Sequence, residues 1–277
     1  MSNYAHPNTI VSTQWLREHL GDRNLRIIAM DLDPQAYDNE HIPGCIFWSA
    51  FTPLLPDLQT NFDTEAMAKL LSDSGIDNDS TVITVHRDYT ATSGWIFWLL
   101  KTFGHQDVRV LNGGFPKWKQ EGLPTTNEPT IISPSNYYIQ KTDDRLRINS
   151  EEVKKSIHQK DKVLLDVRTP QEYRGEIYLQ EPPKNNERAG HIPGAVNLYY
   201  ELAHNKDGTF KTATELQQLY NNLGITPDKS IIPYCAVGGR SAHVWFILKY
   251  LLGYSQVKNY DGSWSEWSQL PGVEIAQ

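Results

Sequence analysis

Cys235 and Arg240 stand five positions apart, at the two ends of a glycine-containing loop, Cys235-Ala236-Val237-Gly238-Gly239-Arg240. The apolar pair Ile231-Ile232 before it reads as a buried strand. The run from Ser241 to Leu252, closed by Gly253, reads as an amphipathic helix. Two adjacent glycines let main-chain N–H groups turn inward, and the helix start adds its positive end. A loop of that kind favours thiolate over thiol and makes its sulfur a nucleophile. Cys235 is therefore the candidate catalytic residue. Ala236, Val237, Gly238 and Gly239 are its anion cradle, and Arg240 is the ligand for a dianionic group.

Further candidates lie close to this loop or after another strand end. Ser241 and His243 open the helix; His243 reads as packing or orienting the loop rather than as a base. Asp166, Arg168, Glu172 and Arg174 follow a second apolar run. Arg174 is expected to be a second anion ligand and Asp166 a brace. Trp264 and Trp267 read as core, with Trp264 near the pocket mouth. Cys45, in a strand-like context, reads as core. His41 and His191 sit in matched turns and read as structural caps. The cysteines and histidines lack the spacing of a zinc site, so no metal is expected. No Walker loop, dinucleotide fingerprint or serine elbow is present.

This chemistry needs a strand ending at Cys235 and a helix starting near Arg240, and the chain supplies that setting twice. His41-Ile42-Pro43-Gly44 recurs 150 residues later as His191-Ile192-Pro193-Gly194. The helical pattern from Thr64 to Ile76 recurs from Thr214 to Ile225. Leu111-Asn112-Gly113-Gly114-Phe115 with Trp118 recurs 149 residues later as Tyr260-Asp261-Gly262-Ser263-Trp264 with Trp267. The same shift sets His86 opposite Cys235 and Ala91 opposite Arg240. The first copy thus has neither nucleophile nor clamp, and reads as a structural partner shaping one wall of the cleft. The second copy carries about fifteen extra residues around Gly175 to Arg188, a polar surface loop that either walls the site or decorates it.

Within each copy, short apolar strands alternate with helices. The first has a helix at Trp15 to Leu20, strands at Arg26 to Met30 and Val82 to Val85, a helix at Ser93 to Thr102 and a strand at Val108 to Leu111. The second repeats this at Glu151 to His158, Val163 to Val167, Ser230 to Pro233, Ala242 to Leu252 and Val257 to Tyr260. The pattern predicts an α/β protein of two tandem domains. Each is a mainly parallel sheet with helices on both faces and ligands beyond the carboxyl ends of its strands. The expected boundaries are 1–125 for the non-catalytic domain, 126–145 for the linker and 146–277 for the catalytic domain.

The 277 residues, 39% hydrophobic with eight Trp and fourteen Tyr, suffice for two well-filled cores. A net charge of −7 disfavours nucleic acid or an anionic membrane as partner. No signal peptide or apolar run of about 20 residues is visible. With two unpaired cysteines, a reducing cytoplasm is the expected compartment.

Together these motifs resemble the two-domain rhodaneses, the thiosulfate and 3-mercaptopyruvate sulfurtransferases. The resemblance rests on His41-Ile42-Pro43-Gly44, Leu111 to Phe115 with Trp118, Asp166-Val167-Arg168, Gly190 to Asn197, the Cys235 loop, and Asn259 to Trp264. It covers nearly the whole length and implies tandem rhodanese-like domains of which only the second is catalytic. Cys235 would attack the outer sulfur of a small anionic donor, become a persulfide, and pass the sulfur to cyanide or a thiol. No cofactor is implied, because the sulfur is itself the carried group. Mercaptopyruvate enzymes usually carry small uncharged residues in this loop, and thiosulfate enzymes carry basic ones. Arg240-Ser241 followed by His243 resembles a bacterial thiosulfate subgroup, while Ala236 stands where an arginine is common. Phosphatases sharing the fold need Cys-x5-Arg to cradle phosphate; here the spacing is Cys-x4-Arg. A sulfur-carrier or regulatory binding module is the non-enzymatic alternative.

Overall fold

The computed structural model describes residues 3–31, 33–50, 54–179, 181–184 and 186–277. Two parallel sheets form, one per repeat. The first contains β1 (Ile10–Val11), β2 (Leu25–Asp31), β3 (Cys45–Ser49), β4 (Thr81–Val85) and β5 (Val108–Leu111), in the order β1-β5-β4-β2-β3. The second contains β6 (Lys162–Asp166), β7 (Val196–Asn197) and β8 (Ser230–Tyr234), in the order β7-β6-β8. Strands β2 and β6, each paired on both sides, are two of the apolar runs read from the sequence. Ile27 lies opposite Cys45 and Ile83, and Leu165 opposite Val196 and Pro233. Helices α1 (Thr13–His19), α2 (Gln35–Asn39), α3 (Thr64–Asp73), α4 (Ala91–Thr102) and α5 (Gly114–Gln120) cover the first sheet. Helices α6 (Ser150–Ser156), α7 (Pro170–Tyr173), α8 (Ala213–Asn221), α9 (Gly239–Phe246) and α10 (Ser263–Trp267) cover the second.

One predicted strand is reduced. Val257 to Tyr260 makes only isolated parallel bridges, Val257 with Ile231 and Asn259 with Arg147. Ile231 exchanges hydrogen bonds with Gln256 and Lys258, and Tyr260 N–H reaches the Pro233 carbonyl. Pro233 has no N–H to return, so the ladder is broken at its middle rung. Thr84, which has an N–H, holds the matching place in the first repeat, where β5 is a continuous strand.

The two halves meet where α4 crosses α9. Nearly every residue of α4 is buried, including Trp95, Phe97 and Trp98, and one continuous apolar core runs from the first half to the second. Gly94 makes the crossing possible: a Cβ there would come within 2.6 Å of the His243 Cα. Helix α9 continues as a π-helical turn at Ile247–Leu251.

The matched histidines act as chain fasteners in both repeats. His41 Nδ1 bonds the Tyr37 carbonyl at 2.8 Å and stacks on that ring; His191 does the same with Tyr173 at 2.9 Å. Each also holds an extended segment by a two-way main-chain bridge, to Thr126 and Ala276 respectively. Residues 129–143 form no helix or strand, yet they are pinned to the first half through Ser72, Ile76 and Asn78. The insertion lies partly outside the described residues. Where described, Tyr178 and Arg188 tie it to Ser268, Leu270 and Val273 near the C-terminus.

Candidate active site

Strand β8 ends at Tyr234 and α9 begins at Gly239, so Cys235 occupies the carboxyl end of the strand, facing a helix start. Gly238 turns the chain at φ +93°, and a Cβ at this position would meet the Asp261 carbonyl oxygen at 2.5 Å. Only glycine satisfies both conditions. The turn directs the Gly238 N–H onto the Cys235 sulfur at 3.1 Å. Ser241 Oγ lies 3.6 Å from the same sulfur and Ser263 Oγ 3.9 Å. The Cys235 main chain is held as firmly. Its N–H donates to Ser263 Oγ at 3.0 Å, and its carbonyl accepts from Trp264 N–H at 3.0 Å.

Cys235 exposes 1% of its surface. The loop is closed over as well: the Arg240 side chain is only 12% exposed, and Val237 is partly buried. Cys235 belongs to the apolar core, yet its sulfur accepts the Gly238 N–H and has two serine hydroxyls within 3.9 Å, which separates it from Cys45. That thiol is sealed within β3 and pushed up to about 12 by burial.

Four expectations need correction or refinement. Arg240 is not a free anion ligand: its two terminal nitrogens grip the Glu172 carboxylate at 2.8 and 2.7 Å. Burial pushes Glu172 up, but the hydrogen bonds and charge of Arg240 outweigh it and leave the group below the usual carboxylate range. Arg174 points to solvent, 53% exposed, in a pair with Glu176, and is not a second anion ligand. Asp166 braces the site indirectly. It holds Arg168 through a buried bidentate pair, and the Arg168 guanidinium lies 4.6 Å above the ring of Trp264, a residue whose main-chain N–H anchors the Cys235 carbonyl. His243 is held by a second histidine and an aromatic ring. Its Nε2 is 2.9 Å from His204 Nε2, and its ring stacks on Phe210. His204 Nδ1 meets the Gly208 carbonyl, so its Nε2 is the acceptor and His243 the donor. Burial, with His204 and His86 adding to it, pushes His243 well below its ordinary value, so it is a neutral packing group.

The first repeat reaches the loop: a Cβ on Gly239 would lie 3.1 Å from the Trp95 ring. Tyr89, on the tip after β4, is close enough for Arg240 and Cys235 to act electrostatically on its hydroxyl. His86, opposite Cys235 in the repeat, is buried, with Nδ1 3.4 Å from Ser93 Oγ and its imidazole pushed down to about 3 by burial. It offers no nucleophile.

Glu172 and Ser263 are the residues whose part sequence reasoning missed. Glu172 had a local signal, since Thr169-Pro170-Gln171-Glu172 is a capping box, and the structure forms it. Its grip on Arg240 joins residues 68 apart, which spacing cannot reveal. Ser263 stood in the open where the repeat exchanges Gly114 for a residue with a hydroxyl, beside the aromatic exchange of Phe115 for Trp264.

Comparison with known proteins identifies the family. The family described as Rhodanese-like domain matches residues 12–121 and again 149–270. The chain belongs to the rhodanese family. It is 45% identical to the sulfur carrier protein TtuD of Thermus thermophilus, over 99% of this chain and 98% of that protein. It is 40% identical to a Saccharopolyspora erythraea protein named provisionally as a thiosulfate sulfurtransferase, over 98% and 97% of the two chains. Its fold is also that of the anaerobic ergothioneine biosynthesis enzyme from Chlorobium limicola, solved with trimethyl histidine. The TM-score is 0.88 at 24% identity, covering 100% of this chain and 72% of that chain.

Proposed function

We propose that this rhodanese-family sulfurtransferase accepts sulfane sulfur from thiosulfate on Cys235 and delivers it, through a persulfide, to cyanide or a thiol. The observation that carries the reading is the donor set around one sulfur: the Gly238 N–H at 3.1 Å with the Ser241 and Ser263 hydroxyls behind it. In the first step the Cys235 thiolate bonds to the outer sulfur of thiosulfate, and the breaking S–S bond leaves its electron pair with sulfite. In the second, an acceptor anion takes that sulfur, and the electron pair returns to Sγ. The donor set serves Sγ as attacking thiolate and as leaving thiolate. A covalent intermediate between two half-reactions predicts ping-pong kinetics.

Arg240 bears on the choice of donor. Paired with Glu172, it presents little net charge to a dianion, which favours a second reading: a relay that takes sulfur from another carrier's persulfide and uses thiosulfate weakly. The similarity to a sulfur carrier protein supports the same reading. 3-Mercaptopyruvate is the alternative small donor. Initial rates with thiosulfate, 3-mercaptopyruvate and a low-molecular-weight persulfide, at one acceptor concentration, decide among them. Thiosulfate is expected to give the largest kcat/KM of the two small donors; a larger value for mercaptopyruvate overturns that assignment. A persulfide donor far ahead of both makes the protein a relay.

A further inference from the structure

Ser263 sits at φ +52°, in the left-handed region, and its counterpart Gly114 sits at φ +55°. For a residue other than glycine this conformation is strained and persists where surrounding structure enforces it, often at a functional site. The first repeat requires glycine here, since a Cβ on Gly114 would lie 2.6 Å from the His86 ring and carbonyl. In the second repeat the smaller Cys235 replaces that histidine and opens room for a side chain. The backbone still favours glycine, yet serine occupies the place. Its hydroxyl is fully buried, accepts the Cys235 N–H at 3.0 Å, donates to the Tyr260 carbonyl at 2.8 Å, and has Sγ as a second acceptor at 3.9 Å.

We propose that Ser263 is a positioning residue for sulfur transfer that fixes the Cys235 main chain and turns its proton from the Tyr260 carbonyl to Sγ when that sulfur becomes charged. This rests on Cys235 being the sulfur carrier. The charge appears at one step. An acceptor anion bonds to the outer sulfur, the S–S bond breaks, and its electron pair stays on Sγ as thiolate. Before the step the negative charge lies on the outer sulfur, so a hydroxyl beside Sγ stabilises the departing thiolate more than the persulfide. Ser241 has the same arrangement, bonded to the Gly238 carbonyl at 3.0 Å with Sγ at 3.6 Å. The two hydroxyls and the Gly238 N–H then form three donors around the leaving atom.

The test compares Ser263→Gly with Ser263→Ala. Glycine restores the first repeat's residue and relieves the backbone; alanine keeps the backbone conformation and removes only the hydroxyl. Each protein is treated with thiosulfate or a low-molecular-weight persulfide, and its mass is measured. Cyanide is then added in a single turnover, and thermal melting is followed in parallel. Both variants are expected to gain one sulfur but release it about 10- to 100-fold more slowly than the parent. Ser263→Gly is expected to melt no lower than Ser263→Ala, so that the slowing does not follow stability. Release within about twofold of the parent overturns the proposal, as does a loss in Ser263→Ala that Ser263→Gly restores, which assigns the effect to strain. A parent protein that gains no sulfur at Cys235 defeats the underlying reading instead.

Discussion

Replacing Glu172 with glutamine tests how much of the site depends on the pair with Arg240. Glu172 Oε2 receives three donors: Arg240 at 2.8 Å, Thr169 N–H at 3.0 Å and Thr169 Oγ1 at 2.9 Å. Oε1 receives one, Arg240 at 2.7 Å. A glutamine places its carbonyl oxygen where three donors converge, which turns its NH2 toward the second guanidinium nitrogen. One strong hydrogen bond becomes a donor–donor contact, and a formal charge disappears. Two unit charges about 4 Å apart attract by about 4 kcal/mol at an effective dielectric of about 20. Relief of the desolvation that a carboxylate suffers offsets part of this, while the stranded arginine charge adds to the cost. The expected net loss is about 3 kcal/mol of stability, read by urea unfolding. The released guanidinium then has charge to offer an anion. Thiosulfate at millimolar concentration is expected to restore part of the lost stability and to stabilise the variant more than the parent, by binding only the folded form. The variant's KM for thiosulfate, a dianion, should fall relative to its KM for a singly charged persulfide donor. A variant within about 1 kcal/mol of the parent, with both KM values unchanged, refutes the reasoning.

Gly238→Ala is expected to cost at least about 2 kcal/mol, because the positive φ and the Asp261 carbonyl at 2.5 Å both oppose a Cβ; sulfur uptake should fall with it, and full uptake would show that the Gly238 N–H is dispensable. Gly94→Ala strikes the α4–α9 crossing, where the clash is with the His243 backbone; denaturant unfolding should show a loss of about 2–3 kcal/mol, and an unchanged midpoint would contradict the tight crossing. The buried histidines set an acid limit. Burial pushes His86 down to about 3 and His204 to about 4, and His243 also lies well below its ordinary value. Their folded values lie below the unfolded value near 6.5, so their stabilisation is complete above that pH. It is lost as pH falls toward the folded values, at up to about 1.4 kcal/mol per pH unit for each histidine. Glu172, also depressed, adds a loss that begins below about pH 4.3 and is completed as pH falls through its folded value. Urea unfolding at pH 7, 6 and 5 should show the histidine slope, and a flat profile would contradict it.

The parallel αβ repeat was legible because its apolar strands and paired motifs recur in one register, and a cysteine placed between a strand end and a helix start needs only local sequence to recognise. What stayed hidden depends on contacts distant in sequence. Arg240 closes the loop as its position suggests, but Glu172 reaches it from another helix and takes up its charge. Arg174 lies two residues after Glu172, yet it follows a different side of a short helix and pairs with Glu176 in solvent. His243 looked equally able to serve the loop or the core. The His204 ring, brought up by the segment before Phe210, decides for the core. The strand at Val257 was weakened by Pro233, a residue on its neighbour.

The most direct measurement is the intact mass of the protein after thiosulfate or low-molecular-weight persulfide treatment, for the parent and for Cys235→Ser, with fragmentation to locate the modification. The account predicts a gain of about 32 Da, one sulfur atom, on Cys235 of the parent. It also predicts loss of that mass on adding cyanide, and no gain in the folded serine variant. A sulfur that settles on Cys45, or that the serine variant still acquires and transfers, would contradict it.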